Sequence, residues 1–403
     1  MNKIAAFLTK YRRFIPLAAT ALLALIAYLV GAILYPGMRN LQVFLNIFGN
    51  NTHIMISAVG MTLVILSGGI DLSVSGIMAL VSVSVGALIR SGMDPWLAFL
   101  LMMLMGSALG AVMGSFVAYL KVQPFIATLA GMWFARGMCF FISDDAIAIN
   151  HPVYTLLGQT RVLIPGLSEI AWAQGRNAPY VSIFVVVSLL VLAAGIFIAH
   201  FTRFGRTIYA IGGNEQSARL MGLQVNSTKV LVYTLSGLCS GLAGIALSVF
   251  VLSGHGLYAD GAEMDVIASV VMGGTMLTGG SGYVFGTPFG VLVFGITQTL
   301  IQFNGSLSSW WTRIVIGILT LIFIGVQSLV TAKRGGRRKE LTPALRMRRL
   351  AYAATAVVVL AGSATALFTN SGRINSVIGT AEVKHCTLQP FRQELVPELI
   401  NSG

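Results

Sequence analysis

Charged residues are scarce in this sequence, and acidic residues are the scarcest of them. Asp, Glu, Lys and Arg together make up 10% of the 403 residues, whereas roughly 25% is usual in a soluble domain. Apolar residues account for 56% of the chain, so its main solvent is expected to be lipid, and a soluble enzyme is excluded. The net charge of +13 does not indicate nucleic-acid binding, because the basic residues form short clusters between apolar runs.

Motifs for enzymatic chemistry are missing as well. The sequence has no GxxxxGK(S/T) motif, so it cannot hold a nucleotide phosphate in a P-loop. It also lacks GxSxG and HExxH, and its five histidines are isolated from one another. The three cysteines, Cys139, Cys239 and Cys386, form no CxxC pair, which argues against a disulfide framework or a zinc site. We therefore expect no catalytic residue, metal site or cofactor in this chain.

Long apolar runs, in contrast, fill most of the chain. A membrane-spanning helix needs about 20 mostly apolar residues, and ten such runs predict an all-α, polytopic membrane bundle over residues 1–332. They are 14–35, 43–68, 73–90, 96–120, 124–143, 179–201, 230–253, 264–280, 282–303 and 309–331. The remainder, 333–403, consists of a basic linker, an apolar run at 350–368 and a polar tail. That run is either an eleventh span or a helix lying in the membrane interface.

The distribution of basic residues predicts the orientation. Three clusters, at residues 3–13, 203–229 and 333–349, hold 16 of the 26 basic residues, and the ten-span count places them on one side. The positive-inside rule makes that side the cytoplasm. The chain is therefore expected in a bacterial inner membrane with its N-terminus cytoplasmic. The long connection at 144–178, which is near neutral, then falls outside.

Glycine occurs in two patterns. One pattern recurs along single helix faces and predicts close helix packing; its members are Gly106, Gly110 and Gly114, and then Gly237, Gly241 and Gly244. The other interrupts apolar runs at LSGGIDLSV (66–74) and LTGGSGYVFGT (277–287), which share an L-(S/T)-G-G core. Glycine-interrupted spans are typical of transport pathways. We therefore predict translocation-path residues in these two segments, namely Gly68, Gly69, Asp71, Gly279 and Gly280.

Asp71 has two interpretations. It is the only acidic residue before Arg90, and an ionisable group near the bilayer core is costly unless it functions or is paired. It is either a polar group at a constriction of the pathway or a cap for the following helix, and the two roles are compatible.

For Arg136 and Arg313, we favour pairing with Asp260, Glu263 or Asp265 over direct contact with substrate.

The connection at 203–229 contains a short helical pattern. Residues 215–221 predict a helix that ends at Gly222. Four apolar residues on it are expected to be exposed, namely Ala218, Leu220, Met221 and Leu223. Such a surface is typical of a docking site for another protein, and a helix resting on the membrane is the alternative.

Several of these strings occur together in a known family. LSGGIDLSV, YAIGGNEQSARLMG and EMDVIASVVMGGTMLTGGSGYVFGT resemble the permease subunits of monosaccharide ABC importers, of the ribose, xylose and arabinose type. The resemblance covers about residues 14–331. It implies ten helices, a second permease chain in a hetero- or homodimer, a cytoplasmic ABC ATPase that binds ATP and Mg²⁺, and a periplasmic sugar-binding protein. It also implies that the 203–229 connection couples to the ATPase, through Asn214, Glu215, Ala218, Arg219, Leu220 and Gly222.

Two further strings indicate a subgroup. INHPVY (149–154) and GSLSSWWTRIVIGIL (305–319) are most similar to one permease chain of galactofuranose importers. The resemblance therefore implies a galactofuranose-like monosaccharide as substrate. The alternative function from the residues alone is an ion- or proton-coupled secondary transporter of a small polar solute, in which Asp71 would be nearly the only acid available for coupling.

Overall fold

The computed structural model describes residues 15–166, 168–169, 178–305 and 310–332. The predicted basic linker and the apolar run at 350–368 lie outside the described residues, as does Cys386. The first half of the chain is a series of helices joined by short turns. They are α1 (Ile15–Leu34), α2 (Leu41–Asn50), α3 (Thr52–Leu66), α4 (Ser73–Arg90), α5 (Pro95–Ala118), α6 (Pro124–Ile142) and α7 (Pro152–Gln159), with a 3₁₀ turn at Pro36–Arg39.

The second half is also helical. Its helices are α8 (Ile183–Phe201), α9 (Arg203–Gly213), α10 (Glu215–Leu220), α11 (Val225–Val251), α12 (Ala262–Met272), α13 (Thr287–Asn304) and α14 (Trp310–Ala332), with a 3₁₀ turn at Val284–Gly286. Two small antiparallel ladders join the connecting loops. β1 (Ile147–Ala148) pairs with β4 (Ser253–Gly254), and β2 (Arg161–Leu163) pairs with β3 (Tyr180–Ser182).

Local sequence explains where several helices begin. The α5, α6 and α7 helices each start with a proline, whose fixed φ suits the first helical position. In front of α5, the Asp94 carboxylate accepts hydrogen bonds from the backbone N–H groups of Trp96 and Leu97, at 3.0 and 3.2 Å. These bonds satisfy two of the N–H groups that a helix start leaves free.

The predicted class, an all-α polytopic membrane protein, is confirmed. Within the described residues, seven helices are long and apolar enough to cross a membrane, or eight if α2 and α3 count as one span. The α2–α3 pair differs from the straight span predicted at 43–68, because the two helices meet at an angle of 55°. The break falls at Asn51, whose buried side-chain amide donates to the Ile47 carbonyl.

The predicted span at 264–280 is wrong, because the structure forms only a short helix there. Its helical part, α12, has 11 residues and is therefore about 16 Å long, half of a bilayer core. Glycines terminate it, because Gly273 ends α12 and Gly274 follows with a φ of +92°. The non-helical stretch from Gly273 to Tyr283 then carries the chain back to α3 and α9.

The helices pack around α3 and α4. Nearly every side chain of these two helices is buried, which is the pattern of helices surrounded by others on all sides. The predicted glycine faces of α5 and α11 pack against each other: a Cβ atom on Gly106 would lie 2.6 Å from the Gly237 carbonyl oxygen, and one on Gly241 would lie 3.3 Å from the Met102 oxygen. Gly244 instead faces α4 at Met78. Close backbone packing thus fixes α11 between α5 and α4.

Candidate functional site

The two glycine turns predicted from the sequence lie against each other. The first turn, residues 67–72, joins α3 to α4, and the second turn, residues 273–283, follows α12. The Gly280 N–H donates a 2.9 Å hydrogen bond to the Leu66 carbonyl. A Cβ atom on Gly279 would lie 2.8 Å from the Cα atom of Gly68. The predicted residues of both turns therefore form one site.

A glycine from a third segment completes this site, and it was not among the predicted path residues. Gly212, in the last turn of α9, lies so close to the Leu66 carbonyl and the Gly280 nitrogen that a Cβ atom would overlap both. We call Gly68, Gly212, Gly279 and Gly280 the glycine junction. Its sequence context could have drawn attention to it, because Gly212 stands two residues before Asn214 in the GGN string. Only the fold, however, shows what it touches.

Gly69 and Asp71 lie beside the junction and face α11. Gly69 leaves room for the Tyr233 hydroxyl, which a Cβ atom would meet. Asp71 is fully buried, and no Lys or Arg side chain described in the structure forms an ion pair with it. One carboxyl oxygen accepts hydrogen bonds from the backbone N–H and the hydroxyl of Ser73, and the other accepts from the Ser236 hydroxyl at 2.7 Å. Asp71 therefore accepts a hydrogen bond from the first N–H of α4, in line with the capping interpretation, and also links α4 to α11.

A cavity of about 210 Å³ opens beside the junction. Its walls come from the two glycine turns, the ends of α5 and α9, and the starts of α6, α10 and α11. Polar groups line much of it. The lining residues are Ser67, Gly68, Gly69, Val117, Pro124, Ile211, Gly212, Glu215, Lys229, Tyr233 and Thr278.

The 214–222 segment follows the junction directly. The Asn214 side chain accepts a 2.8 Å hydrogen bond from the Ser217 N–H and caps α10. Gly222 ends the segment with a φ of +75°, a backbone conformation that glycine adopts without steric cost. Asn214 and Gly222 thus define a short helix with fixed ends, as the sequence predicted.

Glu215 anchors this helix to α11. Its carboxylate forms ion pairs with Arg219 at 2.8 Å and with Lys229 at 2.6 Å. Partial desolvation acts to raise the pKa of Glu215, but the hydrogen bonds and positive charges of Lys229 and Arg219 outweigh it and hold the pKa below its ordinary value. Glu215 is therefore ionised at neutral pH.

The apolar residues of the segment divide into two groups. Leu220 is 83% exposed and Met221 is 68% exposed, as predicted. Ala218, predicted to be exposed, is fully buried, and it packs with Ile211 while Leu223 packs partly against the same cluster. The correction follows from the chain's path: the extended residue Asn214, between α9 and α10, turns the chain so that one face of α10 rests on α9. The exposed apolar surface is therefore Leu220 and Met221.

At the opposite end of the bundle, Arg136 pairs with Asp260, one of the three acids that the favoured interpretation named. The Arg136 guanidinium donates to the carbonyl oxygens of Gly256 and Tyr258 and lies 3.6 Å from the Asp260 carboxylate. Arg313 donates to the Asp260 backbone carbonyl at 3.4 Å. These contacts hold the loop between β4 and α12 and form a site separate from the glycine junction.

The helical bundle is that of a polytopic membrane protein, and comparison with known proteins identifies its family. The family described as the permease component of the branched-chain amino acid transport system matches residues 43–324. This is more than half of the chain, so the chain belongs to that permease family.

Individual relatives agree with this assignment. The inner membrane ABC transporter permease protein YjfF of Escherichia coli K12 is 46% identical over 321 residues, 79% of this chain and 94% of the relative. The fructose import permease protein FruG of Bifidobacterium longum is 36% identical over 81% of this chain and 94% of its own. The ribose import permease protein RbsC of Escherichia coli K12 is 35% identical over 76% and 92%. The predicted resemblance to permeases of monosaccharide ABC importers is thus confirmed. No solved structure gives a significant match.

Proposed function

We propose that this chain is the membrane-embedded permease subunit of an ATP-driven importer for a monosaccharide in a bacterial inner membrane. The observation that carries the proposal is the 214–222 segment. This segment contains a short capped helix that exposes Leu220 and Met221 to solvent. The other face of the helix packs on α9, and α9 ends at the glycine junction. A partner that presses on this helix would act directly on the junction.

The partner that fits this surface is a cytoplasmic ABC ATPase. This chain has no P-loop, so ATP and Mg²⁺ would be bound by that partner. The junction end would face the cytoplasm, with the N-terminus on the same side. A second permease chain, identical or different, would complete the path, and a periplasmic sugar-binding protein would deliver substrate to the opposite end.

The choice of sugar as substrate rests on the relatives and not on the family description, which names amino acids. Relatives that this chain matches over more than nine-tenths of their length are named as fructose and ribose import permeases. A galactofuranose-like sugar is the finer proposal, supported by the strings at 149–154 and 305–319. In the first string, Tyr154 is fully buried and its hydroxyl lies 3.1 Å from that of Ser248, so it acts on the bundle's packing and not on sugar binding.

The test is a matched set of substitutions in the complex purified from native membranes. We expect Leu220→Arg to leave membrane insertion intact while sugar uptake and sugar-stimulated ATPase activity fall together, by tenfold or more (~1.4 kcal/mol for each factor of ten). Leu220→Met, which keeps an apolar side chain, should retain both activities.

Leu156→Arg is the second control. Leu156 is also exposed, at 67%, but it lies on α7 at the opposite end, so this change should leave the ATPase bound to the complex, whereas Leu220→Arg should release it. If no ATPase accompanies the chain, and uptake proceeds without ATP but stops with an uncoupler, the chain is instead an ion-coupled transporter. Competition among unlabelled sugars for uptake then tests the galactofuranose-like substrate.

A further inference from the structure

Three side chains on one face of α11 contact functional segments of the chain. Lys229, Tyr233 and Ser236 follow the spacing i, i+4, i+7, which places them on the same face of a helix over about 10 Å. Lys229 forms its 2.6 Å ion pair with Glu215 of the 214–222 segment. Ser236 donates its 2.7 Å hydrogen bond to Asp71 of the first glycine turn. One helix face therefore contacts both segments.

The contact between Ser236 and Asp71 is buried and specific. Both side chains have no exposed surface, and among the described residues Ser236 is the only group outside the first turn and α4 that bonds to this carboxyl. Between the two contacts, Tyr233 covers Gly69 and lines the cavity. A shift of α11 relative to Asp71 would break a buried hydrogen bond and deprive the carboxyl oxygen of this donor.

An adjacent face of α11 packs closely on another helix, and this packing opposes bending of α11. It packs backbone to backbone on α5, where a Cβ atom on Gly110 would overlap the Tyr233 carbonyl and one on Gly237 would overlap the Gly106 carbonyl. Close-packed backbones transmit a displacement, because no flexible side chain lies between them to deform. The α11 helix therefore moves as one body.

We propose that Ser236 is a positioning residue of the transport cycle. Its hydrogen bond to Asp71 makes the first glycine turn follow α11 when a partner displaces the 214–222 segment, so that the cavity beside the junction opens or closes with that displacement. The proposal rests on the proposed function for the origin of the displacement. The connection from Glu215 through Lys229 and Ser236 to Asp71 stands on the contacts alone.

The first test compares three variants in the complete complex reconstituted in vesicles, with the sugar imported per ATP hydrolysed as the measured quantity. Ser236→Ala removes the donor, and we expect the ratio to fall about tenfold, as for a lost hydrogen bond to a carboxylate. Ser236→Thr keeps a hydroxyl and should restore the ratio. Ser240→Ala is the matched control, because Ser240 is equally buried on α11 but, among the residues that the structure describes, its hydroxyl bonds only to the Ser236 carbonyl.

The second test needs no ATP. Ser67 lines the cavity and is 6% exposed. Ser67→Cys, in a chain whose three native cysteines are replaced, should react slowly with a maleimide and several times faster when Ser236→Ala is added. Ser240→Ala should leave the labelling rate unchanged.

The transport ratio and the labelling rate together distinguish a failure of the positioning role of Ser236 from a failure of the proposed function. If Ser236→Ala matches Ser240→Ala in both the ratio and the labelling rate, Ser236 has no positioning role and the inference is overturned. If the complex imports no sugar with ATP but Ser236→Ala still raises labelling, the proposed function fails while the link between α11 and the first turn is supported.

Discussion

The two ends of the bundle are held together in different ways. At the junction end, the backbone of one segment lies directly on the backbone of another, as in the contact of Gly212 with Leu66 and Gly280. At the opposite end, a long side chain bridges the segments, since Arg136 bonds to the carbonyls of Gly256 and Tyr258. The contact at Gly212 requires the absence of a side chain, whereas the bridge at Arg136 depends on a long one.

This difference predicts different responses to change. A backbone contact cannot accommodate an added atom unless two elements separate, so substitutions at the junction end should act in an all-or-none manner. A guanidinium with several donors can lose one bond and retain others, so substitutions at the opposite end should have graded effects. If the junction end is the moving part of a transporter, this sensitivity is expected, because a small displacement there separates whole segments.

The largest effect is expected from Gly212→Ala. The added Cβ atom would overlap the Leu66 carbonyl and the Gly280 nitrogen, and neither can move without opening the junction. Overpacking against backbone should destabilise the protein by more than about 3 kcal/mol and abolish uptake. Thermal unfolding of the purified protein and uptake into vesicles measure the two effects.

The neighbouring glycine supplies the control. A Cβ atom on Gly213 would have no atom within 4 Å, and its φ is not positive, so Gly213→Ala should change stability by no more than about 1 kcal/mol and leave uptake unchanged. Equal losses from the two substitutions would show that the α9 end is sensitive as a whole, and the distinction between the two ends would then lose its basis.

A smaller, graded effect is expected at Arg136. Arg136→Ala removes donors from two carbonyls in a site where the arginine is 8% exposed. The free energy of unfolding should therefore fall by about 3 kcal/mol. Arg136→Lys keeps the charge but lacks the forked donor geometry, so it should lose less stability than Arg136→Ala. Asp260→Asn should cost less than about 1 kcal/mol, since the Asp260 side chain is 71% exposed. Thermal melts of the three variants test this order, and a larger loss for Asp260→Asn than for Arg136→Ala would contradict it.

Much of the junction end could be predicted from the sequence. Clustered glycines inside an apolar run indicate non-helical backbone at membrane depth, and Asp71 was conspicuous because acids are rare in this chain. Asn214 and Gly222 were recognisable as the limits of a short helix, because capping residues act locally. The pairing of Arg136 with one of three acids followed from the cost of leaving an arginine unpaired near a bilayer, and the structure shows that the acid is Asp260.

The rest depended on contacts between residues far apart in sequence. Ser236 lies 165 positions from Asp71 on a helix rich in small residues, so nothing local distinguished it from Ser240. The burial of Ala218 depends on how α10 folds back onto α9, which the periodicity of one six-residue helix cannot show. The prediction that placed Gly273 inside a span was wrong, because apolar composition does not reveal where a helix ends.

The smallest effect is expected where the junction end does use a side-chain ion pair, at Glu215. Because its pKa lies below the ordinary value of 4.5, its contribution to anchoring α10 is complete above that value and is lost as the pH falls through the lowered pKa. Backbone hydrogen exchange in residues 215–222, corrected for the intrinsic rate, should therefore show constant protection from pH 8 to about pH 5 and weaker protection at more acidic pH. Glu215→Gln should weaken protection at neutral pH by less than about 1 kcal/mol, since the side chain is 39% exposed, and should remove the acid-dependent change. If the variant keeps the acid-dependent loss, another group titrates in its place, and the 214–222 segment is held mainly by the packing of Ala218.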